Sequence, residues 1–260
     1  MQVDDFLYVT PSYEHAVAFL TLMLRGIPEY NCHVNHAKTL CNFTVDSPGV
    51  AVRRLAAGAL FPWCGLLFDT DTLAVVADYT RYAGVPMSDT LSVDLSHHAG
   101  RALRNKLIFT LRARCHRIFF DATVNSAAVQ NVYRVFLLAA FKLHAYAAHL
   151  PNSGPLRNAA FLVDVIFHVA GFVQSSYAAA AGGLIAAGGG LVDSPAALQW
   201  LCFEAFQRKL SRHAGVYAAV LSAIVERQTA LRRHVDDRRL ADLTRIVGDD
   251  LPADFQYILP

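Results

Sequence analysis

The chain has 260 residues, of which 54% are hydrophobic and 17% are charged. This length allows one large domain or two smaller ones, and the apolar balance provides ample material for a packed core. The formal net charge of +2 is nearly neutral, so overall charge does not indicate a nucleic-acid partner. Five widely spread cysteines, an odd number, favour reduced thiols in an intracellular protein over a disulfide framework.

The chain opens on an unusual pair of acidic residues. Asp4 and Asp5 lie between apolar neighbours in a run that predicts a strand pair, residues 1–5 and 6–10. Burial and like-charge repulsion both disfavour adjacent carboxylates in such a setting, and a bound divalent cation would offset both. Because Mg²⁺ takes carboxylate oxygens and substrate phosphates, the pair is a candidate metal site for phosphoryl transfer. A solvated turn is the alternative interpretation of the same two residues.

A mixed region follows this pair. An amphipathic helix is predicted from Pro11, as its first residue, to Leu24, with Gly26 as the C-cap. A strand pair with its bend near Pro62 is expected further along. The strands predicted in this region are residues 32–35, 40–45, 60–61, 64–68 and 73–77.

From Ser96 onward the pattern is almost wholly helical. Ser96 can cap a first helix that is expected to run to about Phe120. Ser194 followed by Pro195 is a clear helix start, an N-cap and then proline at the first helical position. The later helices are predicted at about 125–149, 157–177, 194–212, 216–234 and 237–247. The predicted fold class is therefore α+β, with strands and one helix in residues 1–72 and an all-α helical bundle in residues 73–260.

One segment resembles a membrane span in composition. Residues 165–192 contain no Asp, Glu, Lys or Arg, but they include His168 and end in a tract of alanine and glycine. Alanine and glycine insert poorly compared with leucine or isoleucine, and the glycines weaken a helix. We therefore expect a core helix followed by a flexible loop at residues 178–190, and no membrane partner.

A run of basic residues lies on the first helix of the predicted bundle. Between Ala99 and Phe120 the sequence has no Asp or Glu, so the positive charges lack local partners. This imbalance favours a surface that contacts nucleic-acid phosphates, and a solvated helix face is the alternative. The candidate nucleic-acid-binding residues are Arg101, Arg104, Lys106, Arg112, Arg114 and Arg117.

The order of three short motifs carries a family resemblance. Val3-Asp4-Asp5-Phe6-Leu7 is followed by Gly26-Ile27-Pro28-Glu29-Tyr30 with Lys38-Thr39, and then by Trp63-Cys64-Gly65-Leu66-Leu67. This succession resembles motifs C, D and E of the telomerase reverse transcriptases. The remainder of the chain resembles the C-terminal extension of that family, which forms the polymerase thumb. Markers of the extension include Asp78-Tyr79, Val124-Asn125-Ser126 and Gln199-Trp200-Leu201-Cys202.

The resemblance implies an RNA-directed DNA polymerase that adds telomeric repeats to DNA 3′ ends by two-metal nucleotidyl transfer. It implies that Asp4 and Asp5 bind the two catalytic Mg²⁺ ions. It also implies that Lys38 is the general acid for the leaving pyrophosphate, a role that suits an ammonium group. The basic helix would meet the primer–template duplex without reading its sequence. The primer grip would be formed by Trp63, Cys64 and Gly65.

The same resemblance implies the partners and the location. The partners would be the telomeric DNA primer, the telomerase RNA template, deoxynucleoside triphosphates and the rest of the catalytic subunit, at chromosome ends in the nucleus. Motif A, with its metal-binding aspartate, and motif B have no match in these residues. We therefore expect a C-terminal part of the enzyme that does not polymerise alone. A non-catalytic nucleic-acid-binding or interaction module, or a helical protein whose acidic pair is a turn, are the alternatives.

Overall fold

A computed structural model describes residues 5–45, 52–94, 98–122, 125–150, 158–180 and 194–259. The chain divides into two compact units, Met1–Ala74 and Val75–Pro260. Short strands and one helix form the first unit, whereas the second is almost wholly helical. The α+β class with a helical C-terminal part is therefore confirmed.

The helix of the first unit is α1, Tyr13–Arg25. Its N-cap is Ser12, whose side-chain oxygen accepts a hydrogen bond from the backbone N–H of His15 at 3.3 Å. Pro11 is therefore not the first helical residue, because the serine hydroxyl takes the capping position. Gly26 ends the helix as predicted, at a φ of 65°. A side chain there would lie 2.5 Å from the carbonyl oxygen of Cys32, so glycine is required.

Two pairs of short strands complete the first unit. Strands β1, Leu40–Cys41, and β2, Arg53–Arg54, pair in parallel. Strands β3, Phe61–Trp63, and β4, Leu66–Phe68, form an antiparallel hairpin.

Two predicted strands of this unit are wrong. Residues 6–10 form no strand, and Tyr8 instead stacks on Phe19 of α1 with ring centroids 4.5 Å apart. That segment is held by side-chain packing on the helix. Residues 32–35 contribute only a single bridge, between Cys32 and Ile27. Asn35 then starts a turn, because its side-chain oxygen accepts from the backbone N–H of Ala37.

The hairpin bends at Cys64 and Gly65, and the prediction of a bend near Pro62 is wrong. Both residues have positive φ, 53° and 77°, as a two-residue hairpin turn that matches the strand twist requires. Pro62 lies inside β3 opposite Leu67, and the residues on either side of it in β3 are also paired with β4. Antiparallel pairs alternate between bonded and non-bonded positions, so a proline without an N–H fits there. The bend therefore presents the Cys64 side chain at the hairpin tip.

The second unit opens with strand β5, Val75–Ala77, and continues as a helical bundle. The expected start of this strand at Leu73 is wrong, because Leu73 has a φ of 59° in a turn. Short 3-10 helices occur at Thr80–Tyr82, Met87–Thr90 and Ser211–His213. The α-helices are α2 Ala99–Arg112, α3 Arg117–Phe120, α4 Ala128–Ala148, α5 Ala159–Ala180, α6 Pro195–Leu210, α7 Ala214–Arg232, α8 Asp237–Val247 and α9 Ala253–Gln256.

Helix α4 is the centre of this bundle. It is apolar nearly all round, and it packs against α2, α3, α6 and α8. Helix α6 begins as predicted, with Ser194 as N-cap and Pro195 as its first residue. Helix α8 has the predicted bounds. By length and composition alone, the segment Ala159–Ala179 of α5 could span a membrane, yet it packs against α6 and α7 within the bundle.

The prediction of one helix from Ser96 to Phe120 is wrong. The structure has two helices, α2 and α3, and His116 between them is extended, with φ −108° and ψ 150°. The His116 ring nitrogen Nδ1 accepts from the backbone N–H of Ile118 at 3.3 Å, so this histidine caps α3. Ser96 lies outside the described residues, as does most of the expected loop at 178–190, of which residues 178–180 are helical.

Two buried asparagines join β5 to the helices behind it. Asn125 donates to the carbonyl oxygens of Val75 and Ile118 at 2.9 and 2.8 Å. Asn131 donates to the same Val75 oxygen at 2.7 Å and to that of Phe119 at 3.1 Å. Both side chains are almost fully buried, so these bonds give their amide groups partners inside the protein.

Candidate nucleic-acid interface

In the first unit, the structure brings together one residue each from the first and third sequence motifs. The Cys64 Sγ atom at the hairpin tip donates to the Asp5 Oδ2 atom at 3.7 Å, although 59 residues separate them. Asp5 is exposed. The bend at Cys64 and Gly65 therefore sets the thiol beside the carboxylate.

The other candidates of this unit lie apart from that contact. Lys38 is exposed in the turn that follows Asn35, and no hydrogen bond or ion pair joins its side chain to another described residue. Trp63 packs on Phe68 with ring centroids 6.4 Å apart, and its indole Nε1 is buried without a partner among the described residues. Gly65 supplies the second positive φ of the turn.

The fit of this unit to Mg²⁺ is partial. Carboxylate oxygens suit that ion, and Asp5 offers two of them at the surface. Asp4 lies outside the described residues. Among the residues that the structure describes, no group of three or more histidine, cysteine or acidic side chains could hold a metal ion. The described residues alone therefore do not complete a two-metal site.

In the second unit, α2 divides into an apolar face and a basic face. Leu103, Leu107 and Leu111 recur every four residues and are almost fully buried in the bundle. The opposite face carries exposed Arg101, Phe109 and Arg112. The helix therefore presents positive charge and one aromatic ring to solvent.

The candidate basic residues differ in how they are paired. Arg117 forms an ion pair with Asp121, with Nε and Oδ2 3.2 Å apart. That acid lies one residue beyond the stretch without Asp or Glu. Arg114 donates to the carbonyl oxygen of Thr110 and to the hydroxyl of Tyr82. Among the described residues, no ion pair involves the remaining four, which are Arg101, Arg104, Lys106 and Arg112.

A cleft of about 670 Å³ lies beside α2 and collects basic side chains from three segments of the chain. Among the described residues that line it, none is acidic. The hydroxyl oxygen of Tyr82 accepts from a guanidinium nitrogen of Arg81 and from one of Arg114, both at 2.8 Å. The lining residues are Arg81, Tyr82, Thr90, Lys106, Phe109, Thr110, Arg112, Ala113, Arg114 and Lys142. We define this set as the cationic cleft.

Lys142 of α4 is the least accessible cation of the cationic cleft. Its residue is only 4% exposed, and its Nζ atom donates to the Oγ1 atom of Thr90 at 3.1 Å. The ammonium also lies 5.8 Å from the centroid of the Tyr82 ring. Burial, and then the positive charges of Arg114, Arg81 and Lys106, lower the pKa of Lys142 to about 8.

A smaller cleft of about 380 Å³ lies on the other side of the same helix. Phe109 and Arg112 line both clefts, and the Phe109 residue is 70% exposed. Arg104 and His168 add further basic groups to the smaller cleft. An exposed aromatic ring between basic side chains is typical of surfaces that bind nucleic-acid strands.

Sequence reasoning missed Arg81 and Lys142. Both are brought to α2 by the fold, Arg81 from a 3-10 helix and Lys142 from the central helix. One signal was present in the sequence, because Lys142 is the only lysine in a helix that is otherwise apolar nearly all round. A charge at such a position is rare without a partner or a ligand.

Comparison with known proteins gives the family. Residues 101–225 match the model described as "Telomerase reverse transcriptase, C-terminal extension". The chain is 41% identical over 266 residues to telomerase reverse transcriptase of Bos taurus, covering 99% of this chain and 24% of the relative. It is 37% identical over 263 residues to that of Mus musculus, covering 99% and 23%. The chain belongs to the telomerase reverse transcriptase family.

The chain corresponds to the C-terminal region of the telomerase reverse transcriptases. It spans about a quarter of the length of these relatives, 24% for that of Bos taurus. The matched C-terminal extension includes α2, with its basic face, and Lys142 of α4. Arg81 and Tyr82 of the cationic cleft precede it. The family resemblance inferred from the sequence motifs is therefore confirmed.

Proposed function

We propose that this chain is the C-terminal part of a telomerase-type RNA-directed DNA polymerase, and that its helical unit binds the primer–template duplex. The observation that carries the proposal is the basic face of α2, on which Arg101, Arg104 and Arg112 have no ion-pair partner among the described residues. Such charges bind phosphates by releasing counterions, without reading base sequence. The duplex would consist of the telomeric DNA primer and the telomerase RNA template, in the nucleus.

The first unit would supply part of the polymerase centre. Asp4 and Asp5 would hold Mg²⁺ together with a carboxylate from outside these residues, and the metal would supply charge stabilisation at the reacting phosphate. The ammonium of Lys38 would hold a proton for the leaving pyrophosphate. Cys64, with Trp63 and Gly65, would position the primer 3′ end. The 3.7 Å contact between Cys64 and Asp5 supports this assignment, because it sets the hairpin tip beside a metal-binding carboxylate.

Duplex binding tests the role of α2. Affinity for an RNA–DNA duplex should fall steeply as salt rises, with a slope of roughly −0.9 per phosphate contact in log–log form. Replacing Arg101 and Arg104 by glutamine should weaken binding uniformly across sequences and reduce the slope by about 1 per contact. Arg232→Gln, an exposed arginine of α7, is the matched control. Unchanged affinity and slope in the α2 variants would contradict the proposal.

Nucleotide incorporation tests the catalytic part. The 260-residue chain with template RNA, primer and Mg²⁺ should not extend the primer, because no motif A aspartate is found in its sequence. Adding the rest of the catalytic subunit as a separate polypeptide should restore extension, and Asp5→Ala should then abolish it. Incorporation by the chain alone would contradict the first expectation, and a fully active Asp5→Ala complex would contradict the second. A non-catalytic binding module would bind duplex but gain no activity on complementation.

A further inference from the structure

The cationic cleft differs from the exposed face of α2 because its deepest cation is enclosed. Lys142 is 4% exposed, and Thr90 Oγ1 is a neutral acceptor that cannot offset its charge. The side chains that surround it in the cleft include three arginines and Lys106, and none of the described lining residues is an acid. Burying an ammonium group without a counter-charge is unfavourable, and like charges around it make it more so.

The neighbouring groups are held in place around an open space. Tyr82 accepts from Arg81 and Arg114 at once, so its hydroxyl fixes both guanidinium groups at the cleft wall. The Arg81 guanidinium carbon also lies 4.8 Å from the Tyr82 ring centroid. Because the hydroxyl oxygen uses only part of their donor capacity, the arginines keep N–H groups for another acceptor. The cleft is thus a preorganised set of hydrogen-bond donors.

We propose that the cationic cleft is a binding pocket for a phosphate group, with the Lys142 ammonium at its floor and Arg81 and Arg114 on its wall. Phosphate suits this set because its oxygens accept from a guanidinium fork and from an ammonium simultaneously. The volume of about 670 Å³ exceeds one phosphate, so a nucleotide or an oligophosphate also fits. Phe109 at the rim offers an apolar face to a base, which favours a phosphorylated nucleotide unit over an acidic peptide.

The proposal of this pocket rests on the proposed function in one respect only, which is the source of the phosphate group. That source is either a nucleic-acid strand or a free oligophosphate, and both present the same oxygens. The two sources are distinguished by calorimetric titration of the 260-residue chain with inorganic pyrophosphate and, separately, with a short oligothymidylate, at constant ionic strength. Binding of pyrophosphate assigns the site to free oligophosphates as well, and binding of the oligonucleotide alone assigns it to strands.

Lys142→Met is the main variant. Loss of a charge-assisted hydrogen bond should weaken binding of the bound probe by roughly 10- to 100-fold. Lys209→Met is the matched control, because Lys209 is also 4% exposed, and burial and then Arg212 lower its pKa to about 8, but it lies outside the cationic cleft. Lys209→Met should bind both probes as the wild type does. Lys106→Gln, at a half-buried position of the cleft, should weaken binding by several-fold and provides a second test if Lys142→Met does not fold.

Several results would overturn the pocket. These are no binding of either probe, equal affinity in the wild type and Lys142→Met, equal loss in Lys209→Met, or competition by polyglutamate as effective as that by pyrophosphate. Arg101→Gln separates this proposal from the preceding one, since Arg101 does not line the cleft. That variant should weaken duplex binding and leave pyrophosphate affinity unchanged. The pocket can therefore fail while the duplex surface stands, and the reverse also holds.

Discussion

Two regions of the helical unit, one around the half-buried Arg208 and one around the buried Lys142, treat positive charge in opposite ways. Around Arg208 of α6, the protein supplies an acidic partner and three carbonyl oxygens. One guanidinium nitrogen donates to the carbonyl oxygens of Val247, Gly248 and Asp250 at 3.4, 2.7 and 3.0 Å. The other bonds Glu204 at 2.9 Å. In the cationic cleft, five basic side chains gather, and none of the described residues that line it is acidic.

This difference separates a structural cation from one that is available to a ligand. Arg208 joins the end of α8 and the segment after it to α6, and Glu204 is further fixed by Gln228 at 3.1 Å. The charge of Arg208 is therefore paired within the fold, by Glu204. Lys142 makes one hydrogen bond to a hydroxyl and is surrounded by like charge. Removing the first should damage the fold, whereas removing the second should damage binding.

The largest expected effect is on stability, at Arg208. We expect Arg208→Met to lower the free energy of unfolding by about 3 kcal/mol, because it removes the counter-charge of the half-buried Glu204 and the side-chain hydrogen bonds to three carbonyls together. Urea denaturation measures the change. The double variant Arg208→Met, Glu204→Gln should lose less than the two single losses combined, since the pair is removed together. A loss of unfolding free energy below about 1 kcal/mol in Arg208→Met would contradict the structural role of Arg208 and its contrast with Lys142.

A buried neutral side chain that is hydrogen-bonded within the fold should also contribute to the free energy of unfolding, but by a smaller amount than Arg208. Asn125→Ala removes the side-chain donor to the Ile118 carbonyl, one of two donors to the Val75 carbonyl and the acceptor of the Val75 N–H, so we expect a loss of about 2 kcal/mol in unfolding free energy. The same denaturation experiment measures it, with the exposed Asn105→Ala of α2 as the control that stays unchanged. Equal stability of the two variants would show that the Ile118 carbonyl and the Val75 N–H find other partners.

A substitution at Lys142 is expected to change the free energy of unfolding in the opposite direction. Replacing a buried cation that lacks a counter-charge by an apolar side chain of similar length should leave the unfolding free energy unchanged or raise it by about 1 kcal/mol. Thermal or urea unfolding at pH 7 without phosphate measures this. A loss as large as that of Arg208→Met would mean that Lys142 has a structural role, and the contrast between the two regions would disappear.

The smallest expected effect is a pH dependence of the difference in unfolding free energy between Lys142→Met and the wild type. The pKa of Lys142 is about 8 in the fold, against 10.5 for an ordinary lysine. Between these values the unfolded chain binds the proton and the folded chain has released it, so this lysine makes stability rise with pH across the window. The advantage of Lys142→Met should therefore be largest below pH 8 and shrink towards pH 10.5. An advantage that is constant from pH 7 to 10 would contradict the lowered pKa.

The sequence was sufficient where a structural signal is local. Gly26 and the Ser194–Pro195 start were predicted because caps act on the turn beside them. The bounds of α8 and the apolar character of α4 follow from periodicity, which one helix displays by itself. The basic residues of α2 were visible for the same reason, since a helix face is a local property.

The sequence was insufficient where distant segments meet. Nothing near Lys142 indicates that Arg81 and Arg114 face it, because they come from segments far apart in the chain. The proximity of Asp5 and Cys64 likewise depends on a turn geometry that Cys64 adopts at positive φ, which residue type alone does not predict. Strands at 6–10 and 32–35 failed because side-chain packing and an asparagine turn took the place of backbone pairing.

The interruption between α2 and α3 has a consequence for how the positive charge behaves. On an uninterrupted helix, Arg114 would extend a straight row of basic side chains. Such a row attracts a diffuse layer of counterions and does not bind a fixed number of ions. The chain turns after Arg112, and the Arg114 guanidinium donates to the Tyr82 hydroxyl. Arg114 therefore lines the concave cationic cleft and does not extend a straight row. The turn ends at His116, which caps α3, and the proposed site should therefore bind its ligand at a fixed stoichiometry.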